Sequence, residues 1–243
     1  MMNKENILFG IIGLLLGLIV GFMFANSVNQ QAMMTTAAVT AGGGMKQNSS
    51  LPPGHPEVPG GGGAASEQAA NSRPEVQAAV DKAKQNPNDF DEQIKAAEVY
   101  YQIGRYEGAI EYLRRANQIK TDDYETIVNL GNSYFDSSDY AEAEKWYTAA
   151  LAKKADDVNA RTDLGLTFIF RDQPNYDRAI QEFQRSLEVN PTHIQTLQNL
   201  TVAYTKKGDA AQAKQTLARL ETADATNSAI TKLRGEINKL EVK

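Results

Sequence analysis

The sequence predicts an all-α solenoid of about four helix-turn-helix units, and three observations carry that prediction. Seven anchors, Leu130, Gly131, Tyr134, Tyr140, Ala143, Tyr147 and Ala150, recur 34 residues upstream as Ala96, Ala97, Tyr100, Tyr106, Ala109, Leu113 and Ala116. Downstream they recur as Leu164, Gly165 and Phe168, resume two residues late as Tyr176, Ala179, Phe183 and Ser186, and end in a fourth copy, Leu200, Thr201, Tyr204, Gly208, Ala213, Leu217 and Leu220. Self-similarity at a fixed period is the signature of a repeat architecture. The delay in the third copy assigns an insertion to the turn Asp172-Gln173-Pro174-Asn175. The second observation is the set of small residues at fixed points, Ala97/Ala109, Gly131/Ala143 and Gly165/Ala179, where two antiparallel helices can approach closely while large residues fill the gaps around them. The third is an amphipathic helix at each end of the repeat array, as an open-ended stack requires.

Residues 1–6 form a short amino terminus, followed by Ile7 to Ala25, which is 19 residues without a charge. At about 1.5 Å per residue that length crosses a hydrocarbon core of roughly 30 Å. A cleaved signal peptide competes with this reading, but its apolar region would ordinarily span about 7 to 15 residues behind a more basic start. The sequence therefore favours an uncleaved transmembrane anchor. Lys4 and the terminal amine put the amino terminus in the cytoplasm of a bacterial cell and the rest across the inner membrane, in the periplasm. Gly13, Gly17 and Gly21 lie four apart and form one stripe, through which the span could self-associate.

Residues 26–72 change character, with two glycine runs, the segment Leu51-Pro52-Pro53-Gly54-His55-Pro56 and few large apolar residues, so they are expected to be a flexible linker. A leading helix is expected over 73–87, starting from the capping-box spacing Ser72-Arg73-Pro74-Glu75 and carrying Val76, Ala79, Val80 and Ala83 on one side. The repeats then occupy 88–121, 122–155, 156–191 and 192–225. Their helices are expected at about 89–103, 106–119, 123–137, 140–153, 157–171, 176–189, 192–207 and 209–221. Asp139 with Glu142, and Asp209 with Gln212, have cap spacing, and Gly104 and Gly208 sit where a turn needs positive φ. Residues 226–243 supply a capping helix with Ile230, Leu233, Ile237 and Leu240 on one face.

This pattern resembles the tetratricopeptide repeat (TPR) family over roughly Asn88 to Ala225. The resemblance implies a right-handed solenoid whose first helices line a concave groove for protein or peptide partners. Departures are visible: the large residue usual near the start of the first helix is Gln93, Ile127, Arg161 and Leu197. The late proline appears as Pro191, and as Pro87 just before the first copy.

Composition narrows the chemistry. The chain has 243 residues, a net charge of −5, two histidines and no cysteine, which excludes disulfides, thiolate metal sites and covalent haem attachment through a CxxCH motif. Residues 73–243 hold 23 basic and 27 acidic side chains, a balance unlike that of a nucleic-acid-binding surface. His55 sits in the linker and His193 has no acidic or nucleophilic partner at a useful spacing. No phosphate loop, nucleophile elbow or paired-carboxylate signature occurs. The expectation is a non-enzyme without cofactor or metal.

The groove positions that the resemblance implies are Asp91, Ile94, Glu98 and Tyr101 in the first unit, and Val128, Asn129, Asn132, Phe135 and Asp136 in the second. Asp163, Leu166 and Phe170 follow in the third, and Gln198, Asn199 and Val202 in the fourth. TPR domains that clamp a carboxyl terminus need basic and amide residues at points matched here by Ile94, Glu98, Asn129, Asn159 and Asp163, of which only Asn129 fits. An acidic groove with an aromatic middle instead suits a partner carrying basic and apolar residues. The expected role is a membrane-anchored adaptor that assists the assembly or chaperoning of membrane or exported proteins. A c-type cytochrome assembly factor and a structural subunit of a membrane complex are the alternatives.

Overall fold

The computed structural model describes residues 73–241. The amino terminus, the stretch 7–25 with Gly13, Gly17 and Gly21, the linker 26–72 and the proposed cap Ser72 lie outside the described residues. Among the described residues, no helix is long and apolar enough to cross a membrane.

The described chain consists of helices without strands: α1 (Pro74–Gln85), α2 (Phe90–Gln102), α3 (Tyr106–Ile119), α4 (Tyr124–Asp136), α5 (Tyr140–Lys153), α6 (Val158–Phe170), α7 (Tyr176–Val189), α8 (Ile194–Lys207), α9 (Ala210–Ala223) and α10 (Ile230–Glu241). Each helix packs against its sequence neighbour, so α2/α3, α4/α5, α6/α7 and α8/α9 are the four antiparallel hairpins. The second helices of the first three units begin and end where expected, whereas the fourth runs Ala210–Ala223 instead of 209–221. The first helices begin a residue or two later, because Asp89, Asp123 and Asp157 are caps and not helical residues. Their carboxylates accept from the backbone N–H of Glu92, Thr126 and Ala160 at 3.1, 2.9 and 2.8 Å. Asp139 and Asp209 cap α5 and α9 in the same way, through Glu142 and Gln212. Helix α1 begins from Arg73, whose side chain makes no cap bond, with Pro74 in the first turn, where a missing N–H costs nothing.

The turn inside each hairpin is closed by one recurring bond. The backbone N–H groups of Arg105, Asp139 and Asp209 donate to the carbonyls of Tyr100, Tyr134 and Tyr204 at 2.8, 2.9 and 2.9 Å. In these three turns one residue takes positive φ: Gly104 at 71°, Ser138 at 66° and Gly208 at 86°. The third turn keeps the closing bond despite its two extra residues, Asn175 N–H donating to Phe168 O at 2.8 Å, and its added length dispenses with the left-handed residue. The insertion therefore lies at the surface and leaves the hairpin packing as it is elsewhere.

The core is built around the small residues. A Cβ on Gly131 would sit 2.7 Å from the Tyr147 ring, and one on Gly165 would sit 2.4 Å from the Phe183 ring, both rings being fully buried. The departures from the family pattern also have a structural role. Gln93 is fully buried, and its Nε2 donates to Ala83 O at 2.9 Å and Asn86 O at 3.1 Å, which satisfies carbonyls at the end of α1. Arg161 reaches Ala155 O at 2.7 Å and Glu182 at 3.0 Å from the same register position. Val76, Val80 and Ala83 seal the first unit, while Ile230, Leu233 and Ile237 seal the last.

Candidate functional site

Helix α6 touches α8 directly and α8 touches α10, and side chains join α2 to α4 and α4 to α6, so the first helices of successive units meet. Positions along that contact line one shared surface, and its middle is built from the second and third units.

Tyr101, near the end of α2, donates its hydroxyl to Asp136 at the end of α4, one unit away. Beside Asp136, the Phe135 ring packs edge-on against Tyr140 at 5.3 Å and Phe170 at 5.7 Å, and Tyr140 stacks on Phe170 at 6.1 Å. Tyr101 meets Tyr106 at 5.5 Å. Deeper in the groove, Tyr147 passes its hydroxyl under Gly131 and donates to Asn132 Oδ1 at 2.8 Å. Toward the opposite rim, Tyr124 donates to Asp157 Oδ2 at 2.5 Å, so the carboxylate that caps α6 also fastens unit two to unit three.

The electrostatics follow from burial. Loss of water raises the Asp163 carboxyl to about 7, with a further push from the Asp157 and Asp136 charges. Burial, then the Asp136 and Asp163 carboxylates, push the Tyr101 and Tyr147 hydroxyls up, and Tyr106 is raised to about 12 by burial and then by Asp136 and Glu107. The middle of the groove is therefore a place where added negative charge is disfavoured and a cation is favoured. Among the described residues, no group of three or more histidine, cysteine or acidic side chains is placed to hold a metal ion.

The expected groove residues divide in two. Asp91, Glu98 and Asn129 are exposed, and Ile94, Tyr101, Val128, Asn132, Asp163, Phe170 and Val202 are half-buried, so each retains surface for a ligand. Phe135 (3 % exposed), Leu166 (1 %), Gln198 (6 %) and Asn199 (2 %) do not. The physical reason differs: Phe135 is the floor of the aromatic cluster, whereas Gln198 and Asn199 lie on α8, which is packed by α6, α7, α9 and α10 together. The carboxylate-clamp points Asn159 and Asn129 remain exposed and Asp163 carries the opposite charge to the one a clamp needs. Tyr106 and Tyr140 read as packing anchors in sequence, yet both retain exposure at the groove edge. Their signal was present as tyrosine at the first position of successive second helices.

A family model described as tetratricopeptide repeat matches residues 100–164 and 170–237, and a second of the same description matches 69–123. The chain belongs to the tetratricopeptide repeat family. Among curated relatives, it is 28% identical to BBSome complex member BBS4 of Xenopus tropicalis over 112 residues, 46% of this chain and 21% of that protein. It thus spans about a fifth of that relative's length. Among solved structures, MamA is 23% identical with a TM-score of 0.57, over 62% of this chain and 86% of that one. YrrB, described as a TPR protein with an unusual peptide-binding site, is 17% identical with a TM-score of 0.55, over 71% and 96% of the two chains. At these identities the likeness is one of fold. TPR proteins act as protein-interaction scaffolds.

Proposed function

We propose that the chain is a non-catalytic adaptor whose groove holds a segment of a protein partner carrying basic and apolar residues. The observation that carries this reading is the middle of the groove, where the half-buried Asp163 and Asp136 border the partly exposed rings of Tyr101, Tyr140 and Phe170. A guanidinium or ammonium group there meets carboxylate on one side and an aromatic face on the other, and both attract it. Partner segments of this composition fit an amphipathic helix or an extended strand laid along the first helices.

The apolar stretch 7–25 anchors the adaptor in the bacterial inner membrane, with the repeats in the periplasm. The linker 26–72 then keeps the groove within tens of ångströms of the bilayer, on the order of 35–40 Å for a flexible coil of that length. Confinement raises the effective concentration of membrane-bound or emerging partners without any new contact. This arrangement suits assistance in the assembly of membrane or exported proteins.

Mild crosslinking in the native membrane followed by co-purification tests the groove. Glu98→Lys with Asp91→Lys reverses exposed charge at its entrance without touching the core. Partner recovery should fall about tenfold or more, the scale of a lost charge complementarity. Undiminished recovery removes the groove from the reading. Accessibility of a tag beside residue 243, before and after permeabilisation, tests the topology independently.

A further inference from the structure

Charge is distributed unevenly along the groove. Equivalent positions of successive first helices change character from unit to unit. The row Asp91, Glu125, Asn159, Gln195 goes from acid to amide, and the row Glu98, Asn132, Leu166, Val202 goes from acid to apolar. A third row, Gln102, Asp136, Phe170, Lys206, passes from a carboxylate through an aromatic ring to an ammonium. Asp91, Glu98, Glu125 and Lys206 are exposed, and Asp136 is half-buried. Cations also stand at the acidic end: Lys95 beside Glu92 at 3.0 Å, Lys154 beside Glu125 at 4.0 Å, and Arg105 in the turn after α2. The acids outnumber them.

The opposite end is extended by α10, which keeps the register of a first helix. Asn227 N–H donates to Asp224 O at 3.2 Å, as His193 N–H does to Asn190 O at 3.2 Å in the turn before α8, and the two turns lie 34 residues apart. Carried forward by that interval, the groove positions Gln198, Val202 and Thr205 become Lys232, Glu236 and Lys239, whose spacing puts them on one face of α10. The neighbouring face, with Ile230, Leu233 and Ile237, is buried where α10 packs on α8 and α9. Lys207 is taken up by Asp177 at 2.6 Å. Lys206, Lys232 and Lys239 are exposed and form no ion pair among the described residues, and Glu236 between the last two is half-buried.

We propose that the groove seats a partner segment of two charged halves, with basic and apolar residues over α2 and α4 and acidic residues over α8 and α10. The inference rests on the groove reading above and adds the far half of the partner and the way round it lies. Complementary charge at both ends fixes the register of the bound segment and penalises the reversed arrangement. Packed helices lie roughly 8–10 Å apart, so the centres of the two ends, three first-helix steps from one another, are separated by roughly 24–30 Å. An extended chain of about eight residues covers that distance.

Three fluorescent peptides test this on the full-length protein at low salt. One carries arginine and leucine at one end and glutamate at the other, with a spacer of the length given above. The second has the same composition with the charges interleaved, and the third is the basic and apolar half alone. By fluorescence anisotropy the first should bind about fivefold or more tighter than either of the others, the scale of several weak surface pairs acting together. Lys206→Glu with Lys232→Glu and Lys239→Glu should remove that advantage, while affinity for the basic half alone does not fall and circular dichroism stays unchanged. A benzophenone at the acidic end should label the stretch from α8 to α10. Equal affinity for the segregated and interleaved peptides, an advantage that survives the three lysine reversals, or labelling of α2 or α4 would overturn the two-ended assignment. The groove reading survives that result as long as the basic half binds and Glu98→Lys with Asp91→Lys weakens it. Failure of the basic half to bind would overturn both.

Discussion

The seam between units two and three and the seam between units three and four put polar side chains to different ends. At the first, Tyr147, Asn132, Asp136 and Asp163 lie beside an open groove, and hydroxyl and carboxyl groups border partly exposed rings. At the second, Thr162 bonds Thr196 at 2.6 Å and Ser186 at 3.1 Å, Ser186 meets Thr196 at 3.2 Å, and all three are fully buried. Within unit three, Glu182, 5 % exposed at its side chain, is held by Arg161 at 3.0 Å and Arg185 at 3.1 Å. Polar side chains thus border an open groove at one seam and fasten repeats at the other. Solvent access, set by how many helices surround each position, decides which.

The strongest way to break the comparison is to wedge apart the unit that both seams share. Gly165→Val places carbon 2.4 Å from a Phe183 ring that has nowhere to go, and should cost about 3 kcal/mol or more in urea denaturation. Next, Thr196→Val should cost about 1 kcal/mol, because it removes the bonds that tie Thr162 and Ser186 to unit four, and the one to His193, although the Thr162 and Ser186 hydroxyls keep Val158 O. Partner recovery should not change, whereas Glu98→Lys with Asp91→Lys should do the reverse. A loss of recovery with Thr196→Val would erase the distinction between the seams.

Asp163 sharpens the first seam through pH. Its carboxyl, raised by burial to about 7, keeps a proton in the folded chain that the unfolded chain releases in the ordinary carboxylate range. The stabilising contribution is therefore complete below that range and is lost as pH rises toward 7. Asp163→Asn should flatten this slope, giving about 1–3 kcal/mol at pH 8 and almost nothing at pH 4 in denaturation series. A bound cation favours the ionised carboxylate, so binding of a Lys/Arg-rich peptide by the natural chain should strengthen as pH rises through about 7. The smallest expected effect is at the turn: Ser138→Gly relieves a non-glycine residue at φ 66° and should raise stability by about 0.5–1 kcal/mol in thermal melts.

The hairpins were legible in the sequence because close approach leaves a mark that few residues can make: Gly131 and Gly165 are where an aromatic ring from the partner helix occupies the missing side chain's volume. Gly104 and Gly208 betrayed their turns for the same reason, while Ser138 concealed the identical conformation behind an ordinary residue type. The groove was less legible. Register alone puts Asn132 and Asn199 on the same helix face, but only the packing of α10 and α6 against α8 reveals that Asn199 is shut in. Register also marks Asp163 as polar, and not as a carboxyl that burial drives toward neutrality. Caps followed a similar division: Asp139 and Asp209 were readable from spacing, whereas Asp89, Asp123 and Asp157 read as the first turn of the helices they precede.

Both terminal helices turn apolar side chains inward and leave charged residues such as Lys84 and Lys232 at the surface. Polar outer faces at both ends disfavour end-to-end stacking of the described repeats. The same arrangement makes the interior tolerant of arithmetic: duplicating one 34-residue hairpin between the two lids should lengthen the recognition surface by a fixed step while the new copy finds both of its neighbours already shaped to receive it.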